Sequence, residues 1–506
     1  MGRAYGESDS LLGLSFLISW GDSMFQRNLL TDAATEQLAD AVLTILEKVG
    51  VFCQNEEMLR ALGDWGAQVN YDSETVKFPR GLVDAFAAEL RQERHKDDNG
   101  HCTFVAPSLP GLGTQVAQFF YDDRARERRS GSRDDLITLI KLGEVLHGDQ
   151  GVGHSLLLRD VPPLLEPLEA GLLLAEYASK PGPPFAWDAR QVDYLIEMGE
   201  ILGIKDWFTM GAVCFSHPLR FDKDVADRFV RMVKLGIPAG LTGMQVAGAT
   251  TPVTIAGFVA VSAAEFVATW IAGRALNPRV RLGGAMFAGD VRVEPLGGII
   301  WAGTVDMRSG EVSYSAPDAM LRAFAVSEFL GRWCGYRIPI GGGEYASAKV
   351  PGLYAALEKA YKAMTIAAFT GRHPQTGEGM VDTGKTISPV QLLLDREMSI
   401  ALQSLGQPVE VTPETIAMDT ILEVGFGLES NYLVSDHTLR HYRDSLWLPQ
   451  LISRTGWNGF AEEEALLEKA RAKVESLIAT YRKPEADLDK LARLRQVVER
   501  ARRELL

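Results

Sequence analysis

Cysteine is scarce: the 506 residues hold only Cys53, Cys102, Cys214 and Cys334, far apart and with no C-x-x-C pair. That spacing excludes a disulfide framework and a thiolate zinc site, and it points to reduced, packed thiols in a cytoplasmic protein. Basic residues are also outnumbered, with 52 Lys and Arg against 66 Asp and Glu, a formal charge of −14 and a pI near 5.2. Nucleic acid is therefore not expected as a partner, because phosphate binding needs clustered cations. The early apolar run Leu11 to Trp20 has Glu7 and Asp9 where a signal peptide carries positive charge. The other candidate, Phe258 to Ala272, contains Glu265, so no membrane span is expected.

Familiar catalytic signatures are missing too. There is no G-x-S-x-G elbow, and no glycine fingerprint follows an early strand. Of eight histidines only His437 and His441 have metal-ligand spacing, with no glutamate completing H-E-x-x-H and with Arg440 and Arg443 opposing a cation. No metal is expected, and no residue is assigned as nucleophile, acid or base. One motif does match: GMVDTGKT, residues 379–386, has the G-x-x-x-x-G-K-[ST] pattern of a phosphate-binding loop. Its context is wrong, since RHPQTGE rather than a buried strand precedes it and Pro389 delays the next helix. An ATP-binding phosphotransferase is thus kept only as an alternative.

What the chain has is a large apolar fraction, 46%, and regular periodicity. Helical spacing at Leu38, Val42, Ile45, Leu46 and Val49, a second helix over 55–65, a short strand at 75–78 and a helix opening at Pro79 make residues 1–134 a mainly helical accessory region. A charged loop is expected over 122–134. From residue 135 short apolar runs alternate with longer helices, about seven times before residue 430, which predicts parallel strands and an α/β fold of the TIM-type (β/α)8 barrel class over 135–450. A strand is expected at 280–285, followed by an unusually long loop to 314 that hides a hairpin or contacts substrate. Residues 451–506 read as a charged, solvated helical segment.

In a barrel, the loops after the strands carry the chemistry. The most informative stretch is RIPIGGGEYASAKVPGLYAALEKA, from Arg337 to Ala360. Gly341, Gly342 and Gly343 strip the Cβ atoms from a strand end, which suits either close approach of a ligand or a tight turn without one.

Four blocks, GLTGMQVAGATTPVTIAGFVAV, VDMRSGEVSYSAP, GGGEYASAKVPGLYAALEKA and DHTLRHYRDSLWLPQL, together resemble the trimethylamine methyltransferase family in its non-pyrrolysine branch. The resemblance runs from about Leu30 to the end. It implies a TIM barrel that moves a methyl group from a methylated amine to the cobalt of a partner corrinoid protein, with no corrinoid tightly bound by this chain itself. Members acting on trimethylamine contain pyrrolysine, whereas every residue here is an ordinary amino acid. The implied substrate is therefore a quaternary amine, glycine betaine or a related betaine. The chain departs from the family pattern around 288–298 and just before His437.

A quaternary ammonium has no N–H to donate and is held best by aromatic faces. Trp187, Phe215, Trp301, Tyr314 and Tyr345 lie in loops of the expected face and are the candidate cage, each with core packing as the alternative. Glu344 is placed to add negative charge, and Lys349 or Arg337 to pair with a betaine carboxylate, unless Glu344 and Lys349 simply pair with each other. His437, Arg440 and His441 are the candidate contact for the corrinoid partner. A homo-oligomer is expected, and a catalytically silent betaine-binding protein is the remaining alternative.

Overall fold

The computed structural model describes residues 28–97, 109–210, 218–236, 239, 241–280, 297–370, 376–404, 409–454, 461–485 and 487–506. Phe215, Cys102, Cys214 and the insertion at 288–296 lie outside them.

The N-terminal helices begin at side-chain caps. Thr31 accepts from Ala34 N ahead of the helix Asp32–Lys48, and Asn55 accepts from Met58 N at 2.8 Å ahead of Glu56–Trp65. Strands Val51–Cys53, Gln68–Asn70 and Thr75–Lys77 pair antiparallel, and Arg220–Phe221 joins beside Val51–Cys53 in parallel. The accessory region is thus stitched to chain far downstream. Both helices turn their apolar faces onto the helix Ile255–Leu276. That helix is long and apolar enough to cross a membrane, yet 78% of its apolar window is buried inside the protein. Its Glu265 accepts from Gln245 Nε2 at 2.6 Å and Leu219 N at 2.9 Å.

Parallel pairing then links successive apolar segments separated by helices. Ala117 pairs with Leu156, Val152 with Pro181, Phe185 with Thr209, Leu241–Gly243 with Gly298–Ile300, and Ile300 with Ile340. Between these segments run helices such as Arg133–His147, Glu166–Tyr177, Val192–Leu202, Lys223–Leu235 and Pro317–Cys334. The expected alternation of short parallel strands with helices is present, and the ladders are only one to three residues long.

One local expectation is corrected and two are refined. The charged stretch 122–134 is not a loop: Phe119–Asp122 and Glu127–Ser130 form an antiparallel hairpin. Arg128 and Arg129 lie over the rings of Phe119 and Phe120 at 4.6 and 5.0 Å, and Arg129 is forked to Asp135, so these charges cover apolar surface rather than mark open chain. Within the long segment after Val280, Gly298–Ile300 is itself one of the parallel strands, and Gly303–Val305 pairs antiparallel with Val312–Ser313. The C-terminal helical region is two helices, Glu462–Ala479 and Leu488–Leu505, the first packed on Arg133–His147 and Pro389–Ser404 and the second on Glu166–Tyr177 and Val192–Leu202.

Candidate functional site

Ile340 ends its parallel pairing with Ile300, and the chain passes through Gly341 and Gly342 into a single 3₁₀ turn, Gly343–Tyr345. A Cβ on Gly341 would stand 1.8 Å from Cε2 of Trp301. The close approach that the bare backbone permits is therefore made by an indole ring. A Cβ on Gly343 would meet the Thr376 carbonyl oxygen at 2.7 Å, so the turn lies directly against the segment 376–379. Gly342 is buried between them.

The turn gathers three of the five candidate aromatics. Trp301 and Tyr345 meet edge to face at 5.3 Å and 76°, and Tyr314 lies 5.6 Å from Tyr345. Trp301 is buried, and its indole Nε1–H points at Glu344 Oε2, 3.4 Å away. Beneath Tyr314, Lys362 donates to the Tyr314 carbonyl at 3.0 Å. Such a corner offers ring faces to a cation while the edge contacts hold each ring in place.

Carboxyl groups outnumber cations here. Lys359 and Asp395 form a buried pair at 2.6 Å, and Asp395 also accepts from Gln391 Nε2 and Gly379 N, both at 2.8 Å. Glu358 accepts from Ser315 Oγ at 2.9 Å and Ala348 N at 2.8 Å. Four carboxyls (Glu344, Glu358, Glu378 and Asp395) thus face two ammonium groups (Lys359 and Lys362), an excess of two. Burial pushes Glu344 above the ordinary carboxylate value, with Lys362 and the Trp301 N–H opposing the rise. Burial, then the charge of Glu344, pushes Glu378 up to about 8. Burial brings Lys362 down to about 8, against the pull of Glu344 and Glu358. Glu378 has no hydrogen-bond partner among the described residues, and Gly377 and Gly379 beside it, both at positive φ, lie against Asp395. Glu344, Glu358 and Asp395 each accept a hydrogen bond, so Glu378 is the least compensated of the four.

The other candidates fall elsewhere. Lys349 is paired with Asp382 at 2.7 Å and approaches Glu311 at 3.7 Å, not Glu344. Arg337 is exposed at the start of its segment, with its stem against Gly331 of the helix Pro317–Cys334, because three residues of strand separate it from the glycine end. Trp187 donates from Nε1 to Glu166 at 2.9 Å and packs on Phe185 at 4.4 Å; no ring contact joins it to the trio among the described residues. His437 and His441 sit 4.5 Å apart on the helix Asp436–Ser445, with His441 and Arg440 beside Glu414 at 3.5 and 3.9 Å. No group of three or more His, Cys, Asp or Glu able to hold a metal occurs among the described residues.

The GMVDTGKT segment is not a phosphate loop. Met380–Val381 and Thr386–Ile387 pair antiparallel around a turn at 382–385, and Thr386–Ile387 lies parallel to Phe119–Asp122. The turn is filled from inside: Tyr345 packs on Gly384, and Asp382 binds Lys349 and Arg128. A phosphate loop requires a strand running into a helix at its lysine, so the phosphotransferase reading is dropped. Sequence reasoning missed Glu378 and Lys362. Glu378 stands one residue before that motif between two glycines, and Lys362 shares one face of its helix with Glu358 and Lys359, which is the signal that exposes both.

A family model described as trimethylamine methyltransferase (MTTB) matches residues 21–505. Trimethylamine methyltransferase MttB2 of Methanosarcina mazei is 26% identical over 297 residues, covering 58% of this chain and 55% of that protein, so the chain spans about half the length of that relative. Glycine betaine methyltransferase of Desulfitobacterium hafniense is 22% identical over 499 residues, covering 94% of this chain and 98% of that protein. Among solved structures, the Methanosarcina barkeri monomethylamine methyltransferase (MtmB) is similar with a TM-score of 0.39 and 13% identity, covering 88% of this chain and 92% of that one.

Proposed function

The chain belongs to the trimethylamine methyltransferase family, and on that premise we propose that it transfers a methyl group from a quaternary amine to the Co(I) of a corrinoid carried by a partner protein. Glycine betaine or a related betaine is the substrate class. Two things favour it over trimethylamine: no pyrrolysine occurs in the sequence, and the relative named for glycine betaine aligns along nearly its whole length.

The observation that carries this reading is the excess of buried and half-buried carboxyl around a corner of three rings, with Glu344 against Trp301. Burial first raises both Glu344 and Glu378 above their ordinary values, and Glu378, at about 8, keeps its proton at pH 7 while no ligand is present. The trimethylammonium of a betaine, permanently charged and without N–H groups, would offset one of the two excess charges and meet the faces of Trp301, Tyr314 and Tyr345, each desolvated contact being worth up to about 2 kcal/mol. When a methyl leaves such a nitrogen, the amine keeps the bonding electron pair and departs neutral, so no proton need be given to it. The partner's reduced corrinoid supplies the nucleophile. This chain then has to bind the cation, turn one methyl outward and keep water from the rings.

We also read the parallel segments as one closed barrel. Its eighth strand would be 376–379, between the Gly343 turn and Gly113, since a Cβ on Gly113 would stand 3.8 Å from Glu378. The first strand would fall at 112–117, ahead of the boundary at 135 suggested by the sequence, because Leu112 and Ala117 bond across to Gly153 and Leu157. The ring cluster then lies at the mouth, and we place the corrinoid partner on the surrounding loops. We include the segment carrying His437, Arg440 and His441, on the helix Asp436–Ser445, in that docking surface.

Calorimetry with glycine betaine and its carbon isostere tert-butylacetate, in which a neutral tert-butyl group replaces the trimethylammonium, tests the proposal. Trp301→Leu and Tyr345→Leu should each cost about 0.5–2 kcal/mol of betaine binding and less for the isostere. Equal affinity for both ligands, unchanged in the variants, would sink it.

A further inference from the structure

A betaine has an anionic end as well as a cation, and the two basic residues expected to meet it lie elsewhere. Lys349 is paired with Asp382, and Arg337 is exposed with its stem against Gly331. What borders the ring corner instead is hydroxyl. Ser313 and Ser315 flank Tyr314, where the chain bends, and Ser347 follows Tyr345 by two residues. Ser347 Oγ lies 2.8 Å from Ser313 Oγ and 2.9 Å from Ser315 Oγ. The two segments that bring Tyr314 and Tyr345 together therefore bring three hydroxyls together as well.

Counting protons identifies the uncommitted hydroxyl. Ser313 Oγ accepts from Ser315 N at 3.3 Å and Ala316 N at 3.1 Å, which occupies both lone pairs, so its own proton points to Ser347. Ser315 Oγ donates to Glu358 at 2.9 Å, the carboxylate whose charge Lys362 answers. Ser347 Oγ bonds neither backbone nor carboxyl among the described residues, and the side chain is half-buried. Its proton can rest on Ser315 or turn outward. The segment that carries it is held on both sides: Asp382 N and Thr383 N donate to the carbonyls of Ala348 and Ala346, each at 2.7 Å. Both donors sit at positive φ, 53° and 56°. For β-branched Thr383 that conformation is strained, and strain of this kind persists where the surrounding structure enforces it, most often at functional sites.

We infer that Ser347 binds the anionic end of the substrate: with the ammonium against Trp301, Tyr314 and Tyr345, its O–H turns from Ser315 Oγ to a carboxylate oxygen. This rests on the quaternary-amine reading above and adds the residue that reads the other end of the ligand. Ser315 keeps its bond to Glu358 when Ser347 turns, so no buried donor loses its partner. A neutral donor suits the place, because a lysine or arginine would repel the substrate's own cation and be drawn onto the surrounding carboxyls. The ligand selected is a short zwitterion, its carboxylate close to its ammonium, over a quaternary amine without a polar end.

Calorimetry on the full chain compares glycine betaine with tetramethylammonium, which offers the rings the same charge and no carboxylate. Wild type should prefer glycine betaine, and Ser347→Ala should lower that preference roughly 10- to 100-fold, through weaker binding of glycine betaine. Ser347→Thr keeps the hydroxyl and should keep most of the preference. Circular dichroism and the urea midpoint of the free variants check that each is folded. An equal loss for both ligands would mean a structural role, and an unchanged preference, or a threonine variant as impaired as the alanine one, would mean no contact through the hydroxyl. Each of these overturns the inference and leaves the ring corner standing. Binding of neither ligand by wild type would instead bring down the quaternary-amine reading, and this inference with it.

Discussion

Glu378→Gln isolates the charge that the site leaves uncompensated. At an effective dielectric of about 20, a carboxylate about 4 Å from a cation contributes roughly 4 kcal/mol. Glu378 sits at about 8 in the free protein, so ionising it at pH 7 costs about 1.4 kcal/mol. The difference, about 2–3 kcal/mol, predicts roughly 30- to 150-fold weaker binding of glycine betaine to the variant at pH 7. Binding should also release a proton: with the group at about 8, about 0.9 proton leaves per betaine at pH 7, and little leaves at pH 9. The sign follows from the raised value. Below pH 8 the cation must displace a proton, so affinity rises with pH through that region. Lys362 loses its proton near the same pH and acts in the same direction, so the difference between wild type and variant gives the share of Glu378. Calorimetry in buffers of different ionisation enthalpy measures both affinity and proton count. Equal Kd in the two proteins, or equal proton release at pH 7, would refute the reasoning.

Two further substitutions probe the frame. Gly341→Ala places a methyl where the Trp301 indole lies; overpacking should cost about 1–3 kcal/mol in a urea titration and abolish betaine binding measured by calorimetry. Glu265 is pushed up to about 7 by burial, against its bonds from Gln245 and Leu219. Its proton therefore stabilises the folded chain below pH 4.5, and that contribution, roughly 3 kcal/mol, is lost as pH rises through 7. Glu265→Gln should flatten the dependence of the urea midpoint on pH between 5 and 8. A slope equal to that of wild type would mean that Glu265 is not the group responsible.

Much of this was legible before any coordinates. Helices with full apolar faces, such as Pro317–Cys334, announce themselves by period. The strands were harder because each pairs over only one to three residues, and Gly298–Ile300 offers too little sequence to separate from a loop. The triple glycine marked the correct turn but not its occupant, since nothing local says that Trp301 fills the gap at Gly341. The pairing of Lys349 with Asp382 in place of Glu344 was not legible because Asp382 comes from a hairpin 33 residues away. Glu378 escaped for a related reason: its weight comes from Glu344, Lys359 and Asp395, which only the fold brings to it.

The central claim, methyl transfer from a quaternary amine, is tested most directly by mixing this protein with a corrinoid protein held as Co(I) and adding candidate amines singly while recording the cobalt spectrum. Glycine betaine or a related betaine should convert the Co(I) bands to those of methyl-Co(III), with one demethylated amine formed per cobalt and a much slower rate for Glu378→Gln. Conversion with trimethylamine but no betaine, or no conversion with any quaternary amine, would contradict the account.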